Sequence, residues 1–153
     1  MEAGALLAAA AKADLDVEQS RNTYLRMATI PFSSRRRWMA TAHQVDQTDA
    51  PVVLVKGAVE RIVEMCDHWL DSSGKPAPID RVQVLAAAQA LADSGHRVLA
   101  MARGRQGAHF DVEGGIDFDE HRRPGDLILT GLQGMLDPPR ASAAAAVDAC
   151  RSA

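Results

Sequence analysis

The apolar positions change rhythm along the chain, and each change predicts an element. Residues 3–13 (AGALLAAAAKA) are strong helix formers, followed by Asp14 and Asp16. Residues 25–32 and 37–44 alternate and are rich in β-formers, which predicts two strands joined through the polar turn Ser33-Ser34-Arg35-Arg36 as a hairpin. Val52 to Val55 is wholly apolar and short, the pattern of a central strand. After Gly57, the residues Val59, Ile62, Val63 and Cys66 recur at helical spacing, predicting a helix from Ala58 to Asp67. Residues 71–79 carry turn signals throughout and predict a loop. Asp80 has the chemistry of an N-cap for a helix running to Ser94, with Gly95 as its stop.

Residues 97–103 and 127–132 predict two further strands, separated by a long excursion over 104–126 rich in Gly, Asp and Glu. Beyond Pro138-Pro139, residues 141–150 predict an Ala-rich helix with no evident packing partner in the chain. Strands joined by a hairpin, interleaved with helices and without an internal repeat, imply an α+β fold: a mostly antiparallel twisted sheet flanked by helices.

Composition narrows the function. A chain of 153 residues suits one domain and hides roughly 70% of its unfolded surface, enough for a real core. With 47% apolar and 24% charged residues it is a globular chain. The net charge of −3 argues against a nucleic-acid partner, although Arg35-Arg36-Arg37 and Arg122-Arg123 form basic clusters. Two cysteines, Cys66 and Cys150, make no disulfide framework, so a reducing compartment is expected. No apolar run reaches the ~20 residues of a membrane helix, so no direct membrane insertion is expected. The first residues read as helix interior without a cap or leader, as expected of a piece cut from a longer chain.

Several familiar chemistries are missing. The sequence holds no G-x-x-x-x-G-K-[ST] phosphate loop, no G-x-G-x-x-G after a strand and no G-x-S-x-G elbow. Cys66-x-His68 has the look of half a metal site, but no second pair stands at a suitable spacing; a buried Cys66 on a helix and an exposed His68 near its end is the expectation. Asp117, Asp119 and Glu120 read as a solvated loop. No metal ligands and no catalytic residues are assigned.

Four short segments stand out in order. They are Pro31-Phe32-Ser33-Ser34-Arg35-Arg36-Arg37-Trp38-Met39, Lys56-Gly57-Ala58-Val59-Glu60, Gly95-His96-Arg97-Val98-Leu99-Ala100-Met101-Ala102, and Gly131-Leu132-Gln133-Gly134-Met135-Leu136-Asp137-Pro138-Pro139-Arg140. Together they resemble the nucleotide-binding domain of P-type cation-transporting ATPases, in the branch of the calcium, magnesium and sodium/potassium pumps. The resemblance covers nearly the whole chain. The family's usual proline in the second segment is Val59 here, and its usual lysine near the phosphates is Arg37.

The resemblance implies a set of roles. Phe32 would stack on adenine, a contact worth ~1–3 kcal/mol per base; taken alone, the ring could as well be core. Lys56 would lie deep in the nucleotide pocket, beside a helix N-terminus suited to anions. Gly57 would let the ligand approach the backbone. Arg37 and Arg97 would contact phosphates, Arg37 gripping oxygens in a fork; the plainer alternative for Arg37 is a solvated hairpin charge. Glu2 would meet the adenine amino group, if one inserted residue restores the register that otherwise puts Ala3 there.

By the same resemblance the ligand would be ATP, with Mg accompanying it. The partners would be the phosphorylation and actuator domains of a parent pump, and the chain would be a cytoplasmic domain of a membrane protein. Residues 1–136 would be the nucleotide-binding domain and 137–153 the return linker with the start of the phosphorylation-domain segment. The family's phosphorylated Asp-Lys-Thr-Gly-Thr string is absent, so the isolated chain is expected to be catalytically inactive although part of an ATP-driven pump. The rival expectation is a structural or protein-interaction module that has lost nucleotide binding, with Trp38 and Arg35 to Arg37 as its contact residues.

Overall fold

A computed structural model describes residues 2–44, 51–104, 127–136 and 149–151. Helix α1 spans Glu2–Lys12 and α2 spans Val17–Thr23. The α2 helix lay outside the sequence expectation. Its start is set by Asp16, whose Oδ1 accepts hydrogen bonds from the backbone N–H groups of Glu18 and Gln19, both at 2.9 Å. The predicted hairpin follows as β1 (Leu25–Ile30) and β2 (Trp38–Gln44), and then β3 (Val52–Gly57).

The predicted helix over 58–67 is shorter than expected. Helix α3 covers Val59–Glu64, and Cys66 opens a strand, β4 (Cys66–Leu70). Helical spacing placed Cys66 on the α3 face, but sheet pairing outweighs that local preference, because β4 runs parallel to a later strand. Arg81 takes up the carbonyls released at this junction, donating Nε–H to Val63 O (3.3 Å) and Nη2–H to Cys66 O (2.8 Å). The expected loop over 71–79 also contains a strand, β5 (Pro76–Pro78), paired antiparallel with β4. Its two prolines are tolerated because β5 is the last strand of the sheet.

Helix α4 (Arg81–Asp93) starts where predicted, with Asp80 Oδ1 accepting from Gln83 N at 3.0 Å. Its stop is Gly95, at φ 86. Strands β6 (Arg97–Gly104) and β7 (Leu127–Met135) complete one seven-stranded sheet of order β1-β2-β3-β6-β7-β4-β5. Only β4–β7 is parallel, so the α+β architecture is as expected. The excursion over 105–126, the 137 boundary with its linker, and residues 141–148 lie outside the described residues; 149–151 are helical.

Alternation decides which face carries the core. Trp38, Ala40 and Ala42 of β2, Val53 and Val55 of β3, and Ala100 and Ala102 of β6 are buried together with Val59, Ile62 and Val63 of α3 and Val84 and Ala88 of α4. Alanines on the strands let the helices approach closely. Each large aliphatic side chain buried this way contributes roughly 1.5–3 kcal/mol. The intervening residues, such as Met39, Leu54, Lys56 and Met101, stand on the opposite face and are exposed or half-buried.

Candidate functional site

The site lies where the β1–β2 loop folds over the end of β3. In that loop Arg37 N donates to Ser33 O at 2.7 Å and Arg36 N to Ser33 Oγ at 3.2 Å. Arg36 folds back, donating Nη2–H to Pro31 O at 2.9 Å, and its guanidinium lies 5.7 Å from the centre of the Trp38 ring. Arg37 was expected to begin the second strand. Instead it sits in the left-handed region at φ 62, and the strand begins at Trp38. That conformation costs an arginine roughly 1–2 kcal/mol. It is fixed by the Ser33 bond and by Ala58 N, which donates to Arg37 O at 2.9 Å.

Trp38 and Gly57 are register partners. A Cβ on Gly57 would stand 2.5 Å from Arg37 O and 2.6 Å from Trp38 Cβ. Gly57 is therefore required by the approach of the hairpin's own backbone. Gly57 also lines the cavity, where the sequence expectation had put a ligand against its backbone. The expected help from a helix N-terminus is also small. Helix α3 has six residues, Ala58 provides no side-chain cap, and the Ala58 N–H is already bonded to Arg37 O.

A cavity of about 250 Å³ opens between this loop and the ends of β3 and β6. Phe32, Arg37, Lys56, Gly57 and Arg97 all line it, so five of the six expected site residues meet in one place. Phe32 is 60% exposed, which excludes the core reading of its ring. Trp38, at the other end of the same loop, is 4% exposed and belongs to the core, which removes it as a contact residue of an interaction module. Lys56 is half-buried and in register with Met39 on one side and Met101 on the other. Arg37 Nη2 lies 3.2 Å from Glu60 Oε2, in an ion pair whose two side chains are both largely solvated. Glu2 opens α1, but its side chain lies outside the described residues.

Met39, Ala58, Val98 and Leu99 complete the lining and were not singled out from sequence as site residues. Two of them were legible by alternation: Leu99 stands two positions from Arg97 on β6, and Met39 faces Lys56 across the β2–β3 ladder.

The cavity has cations and one free ring but no metal-binding cluster. Among the described residues no group of three or more His, Cys, Asp or Glu could hold an ion. Cys66 is buried at the start of β4, and burial, followed by the neighbouring Asp67 charge, pushes its thiol up to about 12 against a partial opposing effect of Arg81. It stays protonated at neutral pH and is a poor nucleophile. His68 is a half-buried strand residue and not the exposed helix-end residue expected.

The family described as P-type ATPase, cytoplasmic domain N, matches residues 2–142, and the chain belongs to it. It is 49% identical over 150 residues to "Probable cation-transporting ATPase F" of Mycobacterium tuberculosis (strain ATCC 25618 / H37Rv), covering 98% of this chain and 16% of that protein. It is 39% identical over 150 residues to "Cation-transporting ATPase pma1" of Synechocystis sp., covering 98% of this chain and 16% of that protein. Against "Sodium/potassium-transporting ATPase subunit alpha" of Tetronarce californica the identity is 34% over 149 residues, covering 90% of this chain and 14% of that protein. The chain thus spans less than a fifth of the length of these relatives. Among the described residues, no helix is long and apolar enough to cross a membrane.

Proposed function

We propose that this chain binds ATP and presents it to a phosphorylation domain of a cation pump. The observation that carries this reading is the convergence of Phe32, Arg37, Lys56, Gly57 and Arg97 on one cavity from three separate stretches of sequence. The group fits an adenine nucleotide. An exposed ring offers a stacking face, and three cationic side chains match an anionic tail.

In this reading Phe32 takes the adenine face, and Lys56, in the half-buried part of the cavity, orients the base end. Glu2 offers its carboxylate to the adenine amino group. Arg37 and Arg97, the more exposed cations, hold the phosphates, and Mg travels with them. The γ-phosphate then leads toward an aspartate on another domain of the parent pump, and the phosphorylation and actuator domains are the partners. The chain itself supplies binding and orientation, which do not by themselves lower a chemical barrier.

One stacking ring and a few solvent-facing cations give modest affinity. Calorimetric titration with Mg-ATP should yield a dissociation constant on the order of 0.1 to several mM, roughly −3 to −5.5 kcal/mol. Binding in the sub-micromolar range, or no heat from the folded protein at several mM nucleotide, contradicts the reading.

A further inference from the structure

The ion pair between Arg37 and Glu60 puts one of the cavity's cations under the control of a residue outside the cavity lining. Arg37 borders two spaces. One is the nucleotide cavity. The other is a neighbouring cleft of about 340 Å³ between the start of α3 and α4, where Glu60, Leu85 and Gln89 stand. Glu60 holds Arg37 at 3.2 Å from the side of this second cleft. Backbone bonds from Arg37 N to Ser33 O and from Ala58 N to Arg37 O pin the Arg37 main chain. Only its side chain can change partner.

We propose that Glu60 competes with the nucleotide's phosphates for the Arg37 guanidinium, and so sets how strongly the site prefers ATP over adenosine. The inference rests on the nucleotide reading above. Glu60 takes one of the five guanidinium donors, through Nη2, and turns the group toward the second cleft, so a phosphate in the nucleotide cavity competes with it for the orientation and the charge of the same side chain. The Arg37 and Glu60 side chains are 53% and 62% exposed, and a pair so well solvated is weak. It can be broken by an incoming polyanion, yet breaking it is an expense that the phosphates must meet and that adenosine never meets. The Glu60 main chain belongs to the first turn of α3, so its carboxylate stays beside the second cleft when Arg37 turns away.

The test is calorimetric titration of wild type, Glu60→Gln, Arg37→Ala and the double variant, each with ATP and with adenosine. Glu60→Gln should tighten ATP roughly two- to fivefold and leave adenosine unchanged. In the Arg37→Ala background the same substitution should give no gain, because the competitor has lost its object. Raising the salt concentration should shrink the difference between wild type and Glu60→Gln. Weaker ATP binding by Glu60→Gln would mean that Glu60 positions Arg37 for the phosphates, which overturns competition. An equal gain in the Arg37→Ala background would reduce the effect to the loss of one negative charge nearby, and no change in the ATP-to-adenosine ratio also overturns it. If wild type binds adenosine and ATP but the ratio does not respond, only this inference falls. If folded wild type binds neither, the nucleotide reading falls and takes it along.

Discussion

The two faces of the β2–β3–β6 sheet are made from the same strands and meet different fates. On one face Trp38, Ala40, Val53, Val55, Ala100 and Ala102 are closed over by α3 and α4. On the other, Met39, Lys56 and Leu99 border an open cavity, while farther along Thr41 and His43 close on each other through a 2.9 Å Oγ1···Nε2 contact. The loop that joins β1 to β2 spans the difference, with exposed Phe32 at one end and buried Trp38 at the other. Two aromatic residues in one short segment thus do separate jobs. Burial of Trp38 anchors the hairpin, and the anchored hairpin holds Phe32 out in solvent, where an unsupported ring would collapse onto apolar surface.

The strongest way to break this division of labour is at the seam. Gly57→Ala would force a methyl group against the Arg37 carbonyl and the Trp38 backbone, and backbone has little room to give. The expected loss is about 3 kcal/mol, the upper part of the overpacking range, measured by urea denaturation. ATP binding should fall with it, since the hairpin carrying Phe32 and Arg37 must shift. A variant as stable as wild type would remove the seam from the account.

Phe32→Ala sharpens the comparison from the open side. The ring is 60% exposed, so stability should stay within about 0.5 kcal/mol of wild type. Binding of ATP, ADP and AMP should weaken by similar factors, each worth about 1–3 kcal/mol, because all three share the base. Calorimetry, with far-UV circular dichroism as the control of folding, reads both halves. A folded variant with undiminished binding would leave the ring without its proposed role.

Much of this was legible in the sequence. Alternation in 37–44 and the apolar run at 52–55 identify two strands, the first losing Arg37 to the turn and the second extended by pairing to Gly57. Asp80 and Gly95 frame α4 because capping is a local matter of one side chain and one backbone angle. The failures came where distant strands decide. Cys66 fits the helical spacing of Val59, Ile62 and Val63, yet it pairs with Leu127, far along the chain. No local pattern announces a parallel partner of that kind. Pro76 and Pro78 look like loop residues because an edge strand tolerates what an inner strand does not. At the site, it was the resemblance of four short segments to a known family that pointed to Phe32, Lys56, Arg37 and Arg97, whereas the close backbone approach at Gly57 and the Glu60 partner of Arg37 depend on how the hairpin closes, which only the folded chain displays.

The smallest expected effect separates the two ends of the open face. Arg37→Ala and Arg97→Ala should each weaken ATP by about 1 kcal/mol, below the usual range for hydrogen bonds to charged groups and at the upper end for exposed ion pairs, because both side chains are solvent-exposed. Adenosine, which lacks phosphates, should bind both variants as it binds wild type. High salt should reproduce part of the loss in wild type, since screening acts on exposed cations whether or not they are mutated. Titrations of ATP and adenosine against each variant at low and high salt measure all of this together. Equal losses for adenosine and ATP would move the arginines from the phosphates to the base, and with them the direction in which the nucleotide lies across the sheet.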